Sequence, residues 1–143
     1  MILFCDTSAL VKLYILEEFS DKVVDLAGKA NMISVSRISW AETMATLARR
    51  VREVPEDAET IDAVRDRFRT NWSNFAIVEV TQPLVELAGE FADTFALRGY
   101  DSVQLAAARM VQQGANAPFC FACFDSRLQK AAHVLGMQTL GKH

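Results

Sequence analysis

Histidine is almost missing from this chain: only His133 and His143 occur in 143 residues, one within a helical period and one at the chain end. Neither has a neighbour that makes it a catalytic candidate, and no Ser/His/Asp arrangement or G-x-x-x-x-G-K-[ST] loop is present. Serine-hydrolase and P-loop chemistries therefore lose their main support. Cysteine is scarce too. Cys5, Cys120 and Cys123 are odd in number and sit in apolar stretches, which points to reduced, buried thiols rather than a disulfide framework. The C-x-x-C of FCFACF reads as strand, where positions three apart face opposite ways, and a zinc site needs two further ligands that the chain does not offer nearby. No run approaches the roughly 18 apolar residues of a membrane span. The N-terminus has no basic start and its apolar run is interrupted by Asp6, so a cytoplasmic protein is expected. Neither sign of charge dominates: 15 basic against 18 acidic residues give −3, which excludes bulk polyanion binding and leaves a local patch as the only route to nucleic acid.

What is present is a 51% hydrophobic chain with six Gly and three Pro, without repeat, low-complexity tract or linker. One compact domain over residues 1–143 is expected, since two would not fit comfortably. Short apolar runs alternate with longer helical periods, the pattern of an α/β fold with a largely parallel sheet covered on both faces. About five strands are expected, at 2–5, 32–35, 75–80, 119–124 and, weakly, 137–140. Pro83 heads an amphipathic stripe of Leu84, Leu87, Ala88, Phe91, Ala92 and Phe95. Residues 39–53 and 57–72 make a helical hairpin broken at Val54–Pro55, and residues 102–113 read as a central buried helix stopped by Gly114. The hairpin's polar faces set Arg49, Arg50, Arg52, Arg65, Arg67 and Arg69 against Glu53, Glu56, Asp57, Glu59, Asp62 and Asp66. Six against six favours a solvated surface over an RNA-guiding one.

Carboxylates carry the chemical signal. Asp6 and Asp125 each follow an apolar strand, at the carboxyl edge where open α/β sheets place their sites. Asp101 opens the buried helix, and Glu42 falls in the first turn of the helix after the second strand. Taken singly, each has a simpler explanation: Asp is a favoured N-cap, and Ser39-x-x-Glu42 matches a capping box. Taken together, four acids converging within about 4 Å would repel by about 4 kcal/mol per pair at an effective dielectric of 20, more than helix ends relieve. Such a cluster needs raised carboxyl pKa values or divalent cations. An all-oxygen site suits Mg²⁺ or Mn²⁺ and phosphate-ester chemistry.

The stretches ILFCDTSALVKLY, SWAET around Glu42, LRGYDSVQLAAAR around Asp101 and FDSRLQKAAHVLGM around Asp125 closely resemble the PIN-domain ribonucleases, specifically the VapC-type toxins of bacterial toxin–antitoxin modules. The likeness runs from Met1 to about Leu140. It implies a PIN-like three-layer α/β/α sandwich whose acidic pocket binds Mg²⁺ or Mn²⁺ and cleaves RNA. On this resemblance Asp6, Glu42, Asp101 and Asp125 are the metal-binding, catalytic acids and Ser8 supports the site, while Gln104 stands where many relatives carry His and is given no role. The implied reaction is in-line attack by a metal-activated water, leaving a 5′-phosphate and a 3′-hydroxyl. Lys12, Arg37, Arg98 and Arg127 lie close to the acidic motifs and are candidates to hold RNA. A homodimer is also implied, as is an antitoxin whose C-terminal segment covers an apolar groove, with Leu10, Leu13, Tyr14 and Trp40 near the right helices. Two alternatives remain: a PIN-like binding module without catalysis, and a haloacid-dehalogenase-type phosphatase. The second is disfavoured because Ser8 stands where its acid/base Asp belongs.

Overall fold

Four of the apolar runs become strands, β1 (Ile2–Cys5), β2 (Met32–Ser36), β3 (Ala76–Val78) and β4 (Phe119–Ala122). They pair in parallel as one sheet in the order β3-β2-β1-β4. The computed structural model describes residues 1–140, so the expectation for His143 lies outside the described residues. Because the strands are covered on both faces, successive residues go to different cores. Ile2 and Phe4 enter one apolar cluster, Leu3 and Cys5 the other. Phe4 stacks on Phe121 of β4 with ring centroids 5.6 Å apart. Both rings are fully buried, each contributing on the order of 1.5–3 kcal/mol by leaving water.

Seven helices cover the sheet among the described residues: α1 (Thr7–Lys12), α2 (Ser20–Lys29), α3 (Ser39–Glu53), α4 (Ala58–Asn71), α5 (Gln82–Phe95), α6 (Gly99–Gly114) and α7 (Ser126–Val134). Leu84, Ala88 and Phe91 of α5, Leu105 to Ala108 of α6, and Leu128, Ala131 and Ala132 of α7 fill one core. Ala9 and Leu10 of α1, Val23 of α2 and Phe68 of α4 fill the other. This is the expected three-layer sandwich. The chain steps outward from β1 to β2 to β3 and then crosses back to β4 on the far side of β1. The sheet's topological switch point therefore lies between β1 and β4, and ligands of open α/β sheets bind outside the carboxyl ends at such a point.

The fifth strand is a correction. Residues 137–140 give only a single parallel bridge, Gln138 with Cys120, with Phe121 N donating to Gln138 O at 2.8 Å. The segment is entered through Gly136 at φ 81 and meets the edge of β4 at that one position. The buried helix also begins earlier than expected, at Gly99, because Arg98 already has extended backbone and serves as its cap. The C-x-x-C cysteines divide between the cores, Cys120 in one and Cys123 in the other, and all three thiols are free and buried. His133 is exposed in the last turn of α7.

Candidate active site

Asp6 follows β1 directly and caps α1. Its extended backbone lets Oδ1 accept from Ala9 N at 2.9 Å and from the Ser8 hydroxyl at 2.7 Å. Burial pushes its pKa up to about 7, with Asp101 and Glu42 adding repulsion and the two hydrogen bonds opposing. Capping is thus real at this position, yet it does not explain why the carboxylate is enclosed. Ser8, expected beside the site, is one of the two donors to Asp6 Oδ1.

Glu42 is not half of a capping box. Ile38, not Ser39, occupies the cap position of α3, and no side chain caps that end. The Glu42 side chain instead accepts at Oε1 from the Thr7 hydroxyl at 2.6 Å and from Gln104 Nε2 at 3.0 Å. Gln104 Nε2 also lies 3.1 Å from Ser39 Oγ and 3.3 Å from Thr7 Oγ1, and those two hydroxyls are 3.0 Å apart. Gln104 Oε1 is buried with no partner, a loss that costs on the order of 1–3 kcal/mol.

Asp101 sits in the first turn of α6 rather than at its cap. Burial raises its pKa, helped by Asp125 and Glu42 and opposed by Arg98. Asp125 caps α7, accepting from Leu128 N at 2.9 Å, and is exposed. The structure brings three of the four expected acids together: Asp6, Glu42 and Asp101 line one open cavity of about 510 Å³, and Asp125 does not. Asp125 is close enough to Asp101 to raise its pKa, so it stands at the margin.

The donor set suits a hard cation. Glu17, the fourth acid lining the cavity, pairs with Lys12 and Arg50, whereas Asp6, Glu42 and Asp101 form no ion pair among the described residues. Cys5 and Cys123 lie near Asp6, but burial drives their thiols far up, so neither offers a thiolate. Among the described residues no three His, Cys, Asp or Glu side chains are grouped tightly enough to enclose an ion on their own.

A PIN-domain profile matches residues 3–134. The chain belongs to the PIN-domain family. Ribonucleases VapC45 and VapC49 of Mycobacterium tuberculosis are each 33% identical to it over 136 residues, covering 94% of this chain and 92% of theirs. Among solved structures, a toxin–antitoxin complex from Klebsiella pneumoniae shares the fold over the full length of both chains, with TM-score 0.70 and 19% identity. Mycobacterium tuberculosis VapC20, a sarcin–ricin loop cleaving toxin, aligns with TM-score 0.62 and 23% identity over 90% of this chain and 94% of its own.

The cations of this PIN domain are distributed differently from the sequence expectation. Lys12 lines the acid cavity, where it pairs with Glu17 at 2.9 Å and lies over the Phe124 ring. Arg98 flanks Asp101 in a neighbouring recess with Tyr100. Arg37 pairs with Glu79, and Arg127 donates to Ala96 O, both away from the cavity. Arg49 and Arg50, read from sequence as solvated surface, line the cavity instead. Glu42, Ala45, Thr46 and Arg49 all face it, and their i, i+3, i+4, i+7 spacing is the signal that could have found them. Of the apolar candidates, Leu10 is fully buried, while Leu13, Tyr14 and Trp40 are half-buried against the same core, Tyr14 and Trp40 on Phe68 at 5.5 and 5.4 Å between ring centroids. Leu16, 92% exposed just beyond α1, is the apolar side chain left open there.

Proposed function

We propose that this PIN domain is a divalent-metal-dependent endoribonuclease, the toxin of a toxin–antitoxin pair, which hydrolyses RNA phosphodiester bonds in the cavity of Asp6, Glu42 and Asp101. The observation that carries the reading is the meeting of three unpaired carboxylates in one cavity whose walls also hold Lys12, Arg49 and Arg50. An acid cluster alone would repel RNA; an acid cluster that takes up a cation, flanked by guanidinium groups, can hold a phosphate on either side of the bond to be cut. The ribonuclease names of the two curated relatives support the same chemistry.

Asp6, Glu42 and Asp101 would hold Mg²⁺ or Mn²⁺, with Asp125 acting at the margin on Asp101. When bound, the ion supplies charge neutralisation at the phosphate and lowers the pKa of a coordinated water. The chain's own contribution is alignment. Ser8 and Ala9 N fix one oxygen of Asp6, Thr7 and Gln104 fix one oxygen of Glu42, and the start of α6 presents Asp101. Arg49 and Arg50 orient the RNA backbone toward them. No side chain is required as a covalent nucleophile.

The toxin reading implies a cytoplasmic site of action, a cognate antitoxin and a second copy of this chain as partners. The structural neighbours that are toxin–antitoxin complexes support the antitoxin. No helix among the described residues is long and apolar enough to cross a membrane. Cleavage of single-stranded RNA by the purified protein tests the activity. Cutting is expected only with Mn²⁺ or Mg²⁺ and is expected to be lost in Asp101→Asn. Equal cutting by wild type and variant, or binding of RNA without any cutting, would overturn the reading.

A further inference from the structure

The acids each have a neutral companion. Thr7 follows Asp6 in sequence, Ser39 lies one turn before Glu42 on α3, and Gln104 lies one turn after Asp101 on α6. These three companions meet one another. Gln104 is 2% exposed and Ser39 fully buried, so the hydrogen bonds among them are shielded from competing water. Proton bookkeeping fixes their direction. The Thr7 hydroxyl gives its proton to Glu42 Oε1, so the Ser39 hydroxyl donates to Thr7 Oγ1. The two Gln104 amide protons then go to Glu42 Oε1 and Ser39 Oγ, the two shortest of its contacts.

Two consequences follow. Glu42 Oε1 receives two donors, whereas Oε2 receives none among the described residues. The amide of Gln104 is also oriented for its donors at the expense of its oxygen, which is buried and unpartnered. Buried side-chain oxygens are normally satisfied, and the exceptions concentrate where a local rule has been given up for a site. A helix interior needing only a packed residue at this position would be better served by an apolar one.

We propose that Gln104 is a positioning residue for the acid cavity: with Thr7 and Ser39 it ties α1, α3 and α6 together and pins Glu42 by Oε1, leaving Oε2 as the oxygen free to meet a cation or its water. The inference rests on the metal-dependent reading of the cavity. It adds a role for a neutral side chain that presents no charge to the cavity.

The test compares wild type, Gln104→Leu, which keeps bulk and removes both donors, and Gln104→His, which keeps an N–H at similar reach. Mn²⁺ uptake is measured calorimetrically without RNA, and RNA cleavage is measured under saturating and limiting substrate. Loss of a polar partner behind a metal ligand typically weakens affinity or activity about 10–100-fold. Gln104→Leu is therefore expected to bind Mn²⁺ at least about tenfold more weakly and to lower kcat with KM for RNA little changed. Gln104→His is expected to recover part of both. In a Glu42→Ala background, Gln104→Leu is expected to have no further effect on Mn²⁺ uptake, since the residue acts through Glu42. If Gln104→Leu binds Mn²⁺ and cleaves as wild type does, or if its deficit persists undiminished in the Glu42→Ala background, the positioning role is overturned while the nuclease reading stands. If wild type takes up no Mn²⁺, both fall together.

Discussion

Two strand ends invite comparison, because β1 and β4 are neighbours and each runs into an aspartate that caps the next helix. Asp6 accepts from Ala9 N and Asp125 from Leu128 N, each at 2.9 Å and each three residues on. Locally they are the same device. Their surroundings differ: Asp6 is 7% exposed and shares its cavity with residues of α3 and α6, whereas Asp125 opens to solvent beside them. The capping bond needs only the following turn of helix. Enclosure needs elements from elsewhere in the chain, and it is enclosure that drives the Asp6 carboxyl up to about 7.

Replacing each with asparagine should separate the two most sharply in catalysis. Asparagine preserves the cap, so neither helix start is lost. Asp6→Asn is expected to reduce metal-dependent RNA cleavage by on the order of 10²–10³-fold or more, since it removes fixed charge at the point of chemistry. Asp125→Asn should cost about tenfold or less, the scale of an indirect influence on a ligating group. Equal losses in initial-rate assays would mean that the margin position of Asp125 is no guide to its role.

Stability should diverge next. Native Asp6 keeps its proton to about pH 7, while the unfolded chain gives its own up near the ordinary value of 3.8. The native state therefore binds more protons between those values, and metal-free stability falls as pH rises from about 4 through 7, by up to about 4 kcal/mol at the usual 1.36 kcal/mol per pKa unit. Asp6→Asn should remove most of that decline, the raised Asp101 carboxyl leaving a smaller one, and be more stable than wild type at pH 8, a gain in stability bought with loss of function. Asp125→Asn should keep most of the wild-type slope, losing only its share of the upward push on Asp101. Urea midpoints at pH 5 and pH 8 measure this directly. Added Mn²⁺ should raise the wild-type midpoint at pH 8 and leave that of Asp6→Asn nearly unmoved.

The smallest effect expected is at the rim. Arg49→Ala should raise KM for RNA a few-fold with kcat nearly constant, and reduce the salt dependence of binding by about 0.7 in the log–log slope for one lost phosphate contact. Assays of binding across a salt series would show whether this arm belongs to the acid cavity or is ordinary surface.

Much of this arrangement was readable beforehand. Both faces of β1 and β4 are apolar because both are covered, and that pattern survives in a sequence without any coordinates. The amphipathic stripe behind Pro83 is local as well, and α5 forms where it was expected. The acids were legible because apolar strand followed by Asp marks a sheet edge. Less legible was which acids would be enclosed, since that depends on α3 and α6 arriving over Asp6 and not over Asp125. Gln104 shows the limit most clearly. Its partners lie 97, 65 and 62 residues away in sequence, so no window of neighbouring residues contains the reason for its presence. Arg49 was hidden for the opposite reason: its i+7 relation to Glu42 is local, but charge counting averaged it with the rest of the hairpin. Residues 137–140, only weakly expected as a strand, reach the sheet edge by a single bridge, Gln138 with Cys120, a pairing that their apolar content did not reveal.

The three unpaired acids of the cavity are dispersed along the polypeptide, at positions 6, 42 and 101, at the start of or within three helices that meet only in the folded state. A growing or truncated chain that ends before α6 owns two walls and no third. Cutting power then arrives abruptly, once α6 has been made and packed over the first two walls. Fragments left by partial degradation should be inert rather than weakly active, which gives a destructive enzyme an intrinsic safeguard during its own manufacture and disposal.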